Sequence, residues 1–297
     1  MEQALFVRML GGLGNQLFQY AFARSVAEKL NVPVVLDPRY VLRKGHHTGL
    51  AIQAFNIRVR MATQEELLAF PEWKIRLSRG LRKLIRPTFD QYHELGMHYD
   101  YGALSRKPGE LVSGFWQSER YFEHLRPKLL NEIQLVKQMP ESLQALALQI
   151  ESSPNALALH IRRGDYLSDP LAAKRLGACS PVYYEQALGR VDQSIGAQPE
   201  VFVFSDDPHW CKAFQPLAKR MSATFVPDAA PEHDMILMSL CRHHIISNST
   251  FGWWGAWLSQ RTGGVQVAPT PWHNEPSLVD ECLVPKKWLR VPKKSEQ

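Results

Sequence analysis

The chain has no paired-cysteine motif. Its four cysteines, Cys179, Cys211, Cys241 and Cys282, stand far apart, which argues against a zinc ribbon and against a disulfide framework. Buried thiols in a reducing compartment are the expectation. It has no long apolar run either. The first such run, Leu5 to Leu10, is interrupted by Arg8 and is too short for the core of a signal peptide. Nothing approaches the ~20 apolar residues of a membrane span. Low-complexity tracts and short-period repeats are absent. So is a strong excess of one charge. Lys and Arg number 35 against 29 Asp and Glu, a net charge of +6 over 297 residues. These cations are scattered rather than gathered in one stripe, so nucleic acid is not an expected partner.

What the chain does have is alternation. Leu5–Leu10 reads as a strand, Gly11-Gly12-Leu13-Gly14 as a turn, Asn15 to Leu30 as a helix at near-helical apolar spacing, and Val32–Asp37 as the next strand. This is a βαβ unit. Residues 40–130 have little clear period. Thr63-Gln64-Glu65-Glu66 suggests a capped helix start, and His46-His47 a loop pair. Tyr121 to Leu148 looks largely helical, broken near Pro127 and Pro140. Ser152-Ser153-Pro154-Asn155 reads as a linker, which divides the chain into 1–152 and 153–297.

Beyond that linker, strands (156–161, 201–204, 223–226, 244–246, 265–268) alternate with helices (181–195, 208–219, 232–241, 249–259). The expected fold is α/β: two Rossmann-like domains facing a cleft, with ligands at the carboxyl ends of parallel strands. The tail, with Lys286, Lys287, Arg290, Lys293 and Lys294, reads as a solvated segment or as a loose contact with anionic lipid headgroups.

Four segments carry chemistry. Gly11-Gly12-Leu13-Gly14-Asn15-Gln16 lets a backbone approach a ligand closely and opens a helix whose N–H groups attract anions. It matches neither GxGxxG nor a Gly-Lys-Ser/Thr phosphate loop. His160-Ile161-Arg162-Arg163-Gly164-Asp165-Tyr166 sends two arginines out of a buried strand. A guanidinium fork binds phosphate and stays charged at any working pH. Neighbouring residues point to opposite faces, so one arginine faces the ligand and the other supports a carboxylate. Ser205-Asp206-Asp207 offers acceptors for a ribose or base, metal ligands without an obvious third partner, or, for Asp207 before Pro208, a helix cap. Ser249-Thr250-Phe251 opens a second helix N-terminus, and Trp253 and Trp257 one turn apart read as packing.

Together GGLGNQLFQYA, HIRRGDY, FSDD and DMILMSLCRHHIISNSTFGWWGAWL resemble the bacterial α-1,2-fucosyltransferases of glycosyltransferase family 11, in family order over residues 11–258. The resemblance implies a GT-B-type variant in which 153–297 binds GDP-L-fucose and 1–152 supplies the acceptor side. It implies an inverting, metal-independent transfer to the 2-hydroxyl of a terminal β-galactoside, no cofactor, and a bacterial cytoplasmic location, at most peripheral to the inner membrane. It assigns Arg162 to the donor β-phosphate, with Arg163 as support. Gly14 and Asn15 fall near the donor across the cleft, His160 beside the nucleotide, Asp206 or Asp207 (after Ser205) on guanosine, and Ser249, Thr250 and Phe251 on the pyrophosphate. For the base that activates the acceptor, Asp165 is the first candidate and Asp169 the second, both following the arginines by a few residues; the competing role for Asp165 is to anchor Arg163. Another GDP-sugar or another acceptor position is the alternative reading.

Overall fold

The computed structural model describes residues 3–43, 49–73, 91–94, 96, 98–220, 223–276, 278 and 281–294. His46 and His47 lie outside the described residues. The chain forms two compact units, 1–137 with 281–283, and 138–280 with 284–297.

The first unit holds β1 (Leu5–Arg8), α1 (Leu13–Leu30), β2 (Val34–Asp37), β3 (Val59–Met61), α2 (Gln64–Ala69), β4 (Gln91–His93), β5 (Leu111–Ser113) and α3 (Arg126–Glu132). Its strands make a five-stranded sheet in the order β3-β2-β1-β5-β4, parallel throughout. Asn31 ends α1 in the left-handed conformation and returns its N–H to Ala27 and Glu28, the usual way to close a helix without glycine. Thr63 and Glu66 form the capping box that the sequence suggested for α2. Pro127 stands in the first turn of α3 and Pro140 caps the next helix. Both prolines therefore start helices, because a missing N–H costs nothing in a first turn. Among the described residues, the three strands between 59 and 113 are short, at three residues each, which is why no period announced them.

The second unit begins with α4 (Glu141–Ser152) and β6 (Ala156–Ile161), then α5 (Gly164–Ser168), α6 (Pro170–Arg175), α7 (Pro181–Ile195), β7 (Glu200–Ser205), α8 (Pro208–Ala213), α9 (Gln215–Ala218), β8 (Ala223–Phe225), α10 (Pro231–Leu240), β9 (His243–Ile245), α11 (Thr250–Leu258), β10 (Gln266–Thr270) and β11 (Leu289–Pro292). A six-stranded sheet runs β11-β10-β9-β6-β7-β8, again all parallel.

Side chains alternate between the two faces of this sheet. Leu157, Leu159 and Ile161 pack with Tyr183, Tyr184 and Leu188 of α7. Ala156 and Ala158 pack on the other side with Leu143, Leu146 and Ile150 of α4 and with Met238 of α10. Helix α4 thus belongs to this core, and the unit starts ahead of it, at Gln138, rather than at the 152/153 linker expected from the sequence. The helix expected over 208–219 is two pieces divided at Phe214. The tail is not a free segment. Residues 289–292 pair with β10 as the edge strand, and Trp288 and Lys293 are buried.

The chain winds from β6 outward through β7 to β8, then returns to place β9 on the other side of β6. That reversal makes a topological switch point between β6 and β9, where open parallel sheets bind ligands at the carboxyl ends of their strands.

Candidate active site

Strand β6 is buried over its whole length and delivers His160 and the two arginines to the switch point. His160 is 5% exposed. Its Nδ1 lies 2.9 Å from the Ser247 hydroxyl, and its carbonyl accepts the Ser247 N–H at 3.1 Å. Burial, reinforced by the Arg162 charge, lowers its pKa to about 3, so the ring is neutral at physiological pH. Gly252 makes this packing possible: a Cβ there would stand 2.7 Å from His160 Nδ1.

The two arginines have separate environments. Arg163 is buried, donates from Nε to Asp207 Oδ2 at 3.2 Å and lies 4.2 Å over the Trp210 ring, a cation–π contact. Arg162 is the more exposed of the two. Its Nε lies 3.0 Å from Asp165 Oδ1 and 3.3 Å from Asp206 Oδ2. Neither of its Nη atoms has a hydrogen-bond partner among the described residues. The division into one presented and one supporting arginine follows the alternation of the strand. The support differs from the expected one: Arg163 is held by Asp207, and Asp165 pairs with Arg162.

Asp206 clamps the end of β7 to the end of β6. Its Oδ1 accepts the N–H of Arg163 at 2.9 Å, and its Oδ2 accepts that of Gly164 at 3.0 Å. A Cβ on residue 164 would come within 2.8 Å of that oxygen, so glycine is needed for the close approach. Asp207 caps α8 by accepting from Trp210 N at 3.0 Å, and the Ser205 hydroxyl accepts from Asp207 N at 3.0 Å. Ser205, Asp206 and Asp207 are therefore all engaged within the protein. Asp169 likewise caps α6, accepting from Leu171 N at 2.8 Å. Among the described residues no group of three or more His, Cys, Asp or Glu is arranged to hold a metal ion.

From β9 the chain passes Ser247 and Asn248 to Ser249, which caps α11 by accepting from Phe251 N at 3.3 Å. The first turn of α11 begins at the same end of the sheet as Arg162, with the Phe251 N–H taken by the Ser249 cap. Behind that turn the helix is wedged by tryptophans. Trp253 and Trp257 stack at 5.9 Å and both are buried, so they pack rather than offer a sugar platform.

Two features escaped the sequence reading. Asn248 Nδ2 reaches the carbonyls of Leu176, Gly177 and Trp272 at 3.0–3.1 Å, and the Tyr166 hydroxyl donates to its carbonyl at 3.1 Å. Asp234, in the first turn of α10, has a buried Oδ1 with no hydrogen-bond partner. Burial and the nearby Asp228 push its carboxyl up to about 7. Unpartnered buried acids cluster at functional sites, but the sequence signals neither the burial nor the missing partner.

In the first unit, the glycine turn is built as its composition suggested. Gly11 has φ +68°, and a Cβ there would stand 2.6 Å from Asn15 Nδ2. Gln16 donates to the carbonyls of Gly11 and Gly49 at 2.9 Å each, while Gln19 exchanges bonds of 2.9 and 3.0 Å with the backbone of Leu10. Gly14 is buried in α1, and Asn15 Oδ1 accepts from Gln117 Nε2 at 2.8 Å.

A parallel sheet with a switch point, an arginine at one strand end and a helix N-terminus at the next make a Rossmann-like α/β unit. The sequence profile of glycosyl transferase family 11 matches residues 4–291, and the chain belongs to this family of glycosyltransferases. It is 34% identical over 290 residues to an α-1,2-colitosyltransferase of Escherichia coli, covering 96% of this chain and 98% of that one. It is 30% identical to the O-antigen biosynthesis glycosyltransferase WbnK of Escherichia coli (88% and 92% covered). With the mouse galactoside 2-α-L-fucosyltransferase Sec1 it shares 27% (90% and 66% covered).

Among solved structures it resembles the α-1,6-fucosyltransferase NodZ soaked with GDP-fucose (TM-score 0.51, 18% identity, 87% and 93% covered). It also resembles Arabidopsis thaliana FUT1 in complex with GDP (TM-score 0.52, 11% identity, 90% and 70% covered). At these identities the likeness is one of fold, which is α/β and of the GT-B type with two parallel sheets. No described helix is long and apolar enough to cross a membrane.

Proposed function

We propose that this protein transfers L-fucose from GDP-β-L-fucose to the 2-hydroxyl of a terminal β-galactoside with inversion, giving an α-1,2-fucoside, without a cofactor or a divalent metal. The observation that carries this reading is Arg162. Its Nε is fixed by two carboxylates and its Nη atoms have no hydrogen-bond partner among the described residues, at the end of the sheet where α11 also begins. As GDP leaves, negative charge grows on the β-phosphate. An arginine and helix amides already in place stabilise that charge without reorganising, the task a divalent metal performs in other transferases.

His160, neutral and buried, forms part of the nucleotide side. Ser249, Thr250 and Phe251 are the candidates for the diphosphate, Gly14 and Asn15 are further candidates for donor binding, and residues 1–152 are the candidate for the acceptor side. Asp206 and Asp207 already have their oxygens engaged, so the acid free to accept from the base or ribose is Asp234. Asp165 orients Arg162 and Asp169 caps a helix. The acid that deprotonates the acceptor is sought first at Asp165, where orienting and base roles give different results on mutation.

A second reading has a specific support, the 34% identity to a colitosyltransferase. Colitose is L-fucose without its 3-hydroxyl, so the two donors differ at one group of the sugar and not at the diphosphate. Both readings are tested by offering GDP-fucose and GDP-colitose separately with lactose in excess chelator and determining the linkage of the product. An α-1,2-fucoside supports the first reading. Turnover with GDP-colitose alone replaces it with the second, and turnover lost to chelator removes the metal-free mechanism. We further propose action in the bacterial cytoplasm, with Lys286, Lys287 and Arg290 giving no more than a weak contact to anionic lipid.

A further inference from the structure

Lys293 follows β11 and is 1% exposed. Its Nζ donates to the carbonyl oxygen of Leu176 and, at 3.3 Å, to that of Trp272. The side-chain amide of Asn248 donates to the same two oxygens, each at 3.0 Å. A lysine from the last strand and an asparagine from the end of β9 thus converge on one pair of carbonyls. The knot is tied further. The Cys179 thiol lies 3.5 Å from Asn248 Oδ1, the Ser180 hydroxyl donates to the Lys293 carbonyl at 3.2 Å, and Lys293 N donates to Thr270 at 2.8 Å.

Asn248 precedes Ser249, the cap of α11, and its carbonyl receives the Tyr166 hydroxyl from α5. The knot therefore lies directly behind both halves of the anion site, the Arg162 strand end and the α11 first turn. An ammonium taken out of water is expensive unless acceptors surround it. Here the carbonyl oxygens of Leu176 and Trp272 serve that purpose.

We propose that Lys293 is a positioning residue for the donor diphosphate. It fixes Asn248 and Ser249 through the shared carbonyls, and so aims the first-turn N–H groups of α11. This rests on the donor reading given above.

The test is GDP titration by calorimetry together with donor and acceptor kinetics for wild type, Lys293→Met and Lys293→Arg. Lys293→Met is expected to weaken GDP binding and raise the donor KM by about ten-fold, the worth of one charge-assisted hydrogen bond, and to leave the acceptor KM unchanged. Lys293→Arg should recover part of that loss. A Lys293→Met protein that binds GDP like wild type and merely melts earlier overturns the proposal.

Hydrogen exchange on the wild-type protein decides the matter even if that variant does not fold. GDP should slow exchange at residues 175–180 and 291–294 as well as in the first turn of α11. Protection confined to α11 overturns the proposal. Wild-type protein that binds no GDP would remove the donor reading and this inference together, a result distinct from either of the others.

Discussion

Arg162 Nε donates to Asp165 Oδ1 at 3.0 Å, a pairing within one turn that leaves the Nη edge of the guanidinium to a ligand. Arg162→Ala should therefore lower donor turnover by roughly 10²–10³ with the fold intact, the usual effect of removing one preorganised donor to a developing charge. Arg162→Lys should recover little, because an ammonium cannot hold Asp165 through one nitrogen and a phosphate through two others. Single-turnover rates with GDP-fucose in chelator, read beside circular dichroism, check both.

Asp165→Asn separates two roles. As the residue that orients Arg162 it should, when replaced, weaken GDP binding and slow turnover while the pH–rate profile keeps its shape. As the acceptor base it would, when replaced, leave GDP binding intact, cost about 10²–10⁴ in rate and remove the acidic limb of the profile. The ion pair in the structure favours the first pattern.

Asp206→Ala removes the acceptor for two backbone N–H groups. Leaving such groups unpaired costs ~1–3 kcal/mol, so the expected result is a lower urea midpoint with an unchanged slope, accompanied by weaker GDP binding as Arg162 loses its second carboxylate. Gly164→Ala should act in the same direction, through its collision with Asp206 Oδ2.

These residues also show how much of the site was legible in the sequence. Strand β6, the capping box at Thr63 and the role of Asp207 as a helix cap could be read from local pattern, because each depends on neighbours within a few positions. The partner of Arg163 could not. Asp207 lies just past the end of another strand, β7, and only the parallel register Ile161↔Ser205 brings the two ends together. Asn248 was hidden for the same reason, since its acceptors come from loops near 176 and 272. The short strands β3, β4 and β5 are too brief to show a period, and β11 was read as a tail because basic composition said nothing of its pairing with β10.

Acid should destabilise the protein through its buried histidines. Burial lowers His160 to about 3 and His244 to about 4, both below the ordinary 6.5. Between those values and 6.5 the unfolded chain binds more protons than the folded one. The stabilisation is complete above about pH 6.5 and declines as pH falls toward 3–4, by up to about 1.4 kcal/mol per pH unit for each ring. Urea unfolding at intervals from pH 7.5 to 4.5 measures the slope, and His244→Gln should reduce it.

Asp234 has the opposite sign. Burial and Asp228 raise it from 3.8 to about 7, so the folded state holds the extra proton and stability falls as pH rises from about 4 to about 7. Asp234→Asn should flatten that decline and raise the melting temperature at pH 8. GDP affinity measured on the same variant tests its proposed contact with the nucleotide: unchanged affinity would remove Asp234 from the site.

The tryptophans behind α11 give the molecule a built-in optical gauge. Trp253 lies 5.2 Å from Trp254, 5.9 Å from Trp257 and 5.7 Å from Trp288, so three indoles of α11 and a fourth just ahead of β11 sit close enough to share excitation, on and against the helix whose opening turn is proposed to meet the diphosphate. Any ligand that shifts that turn changes the electric field along the helix on which the emitters sit. Occupancy of the donor site should then be readable as a change in ultraviolet emission, with no label attached and no acceptor present.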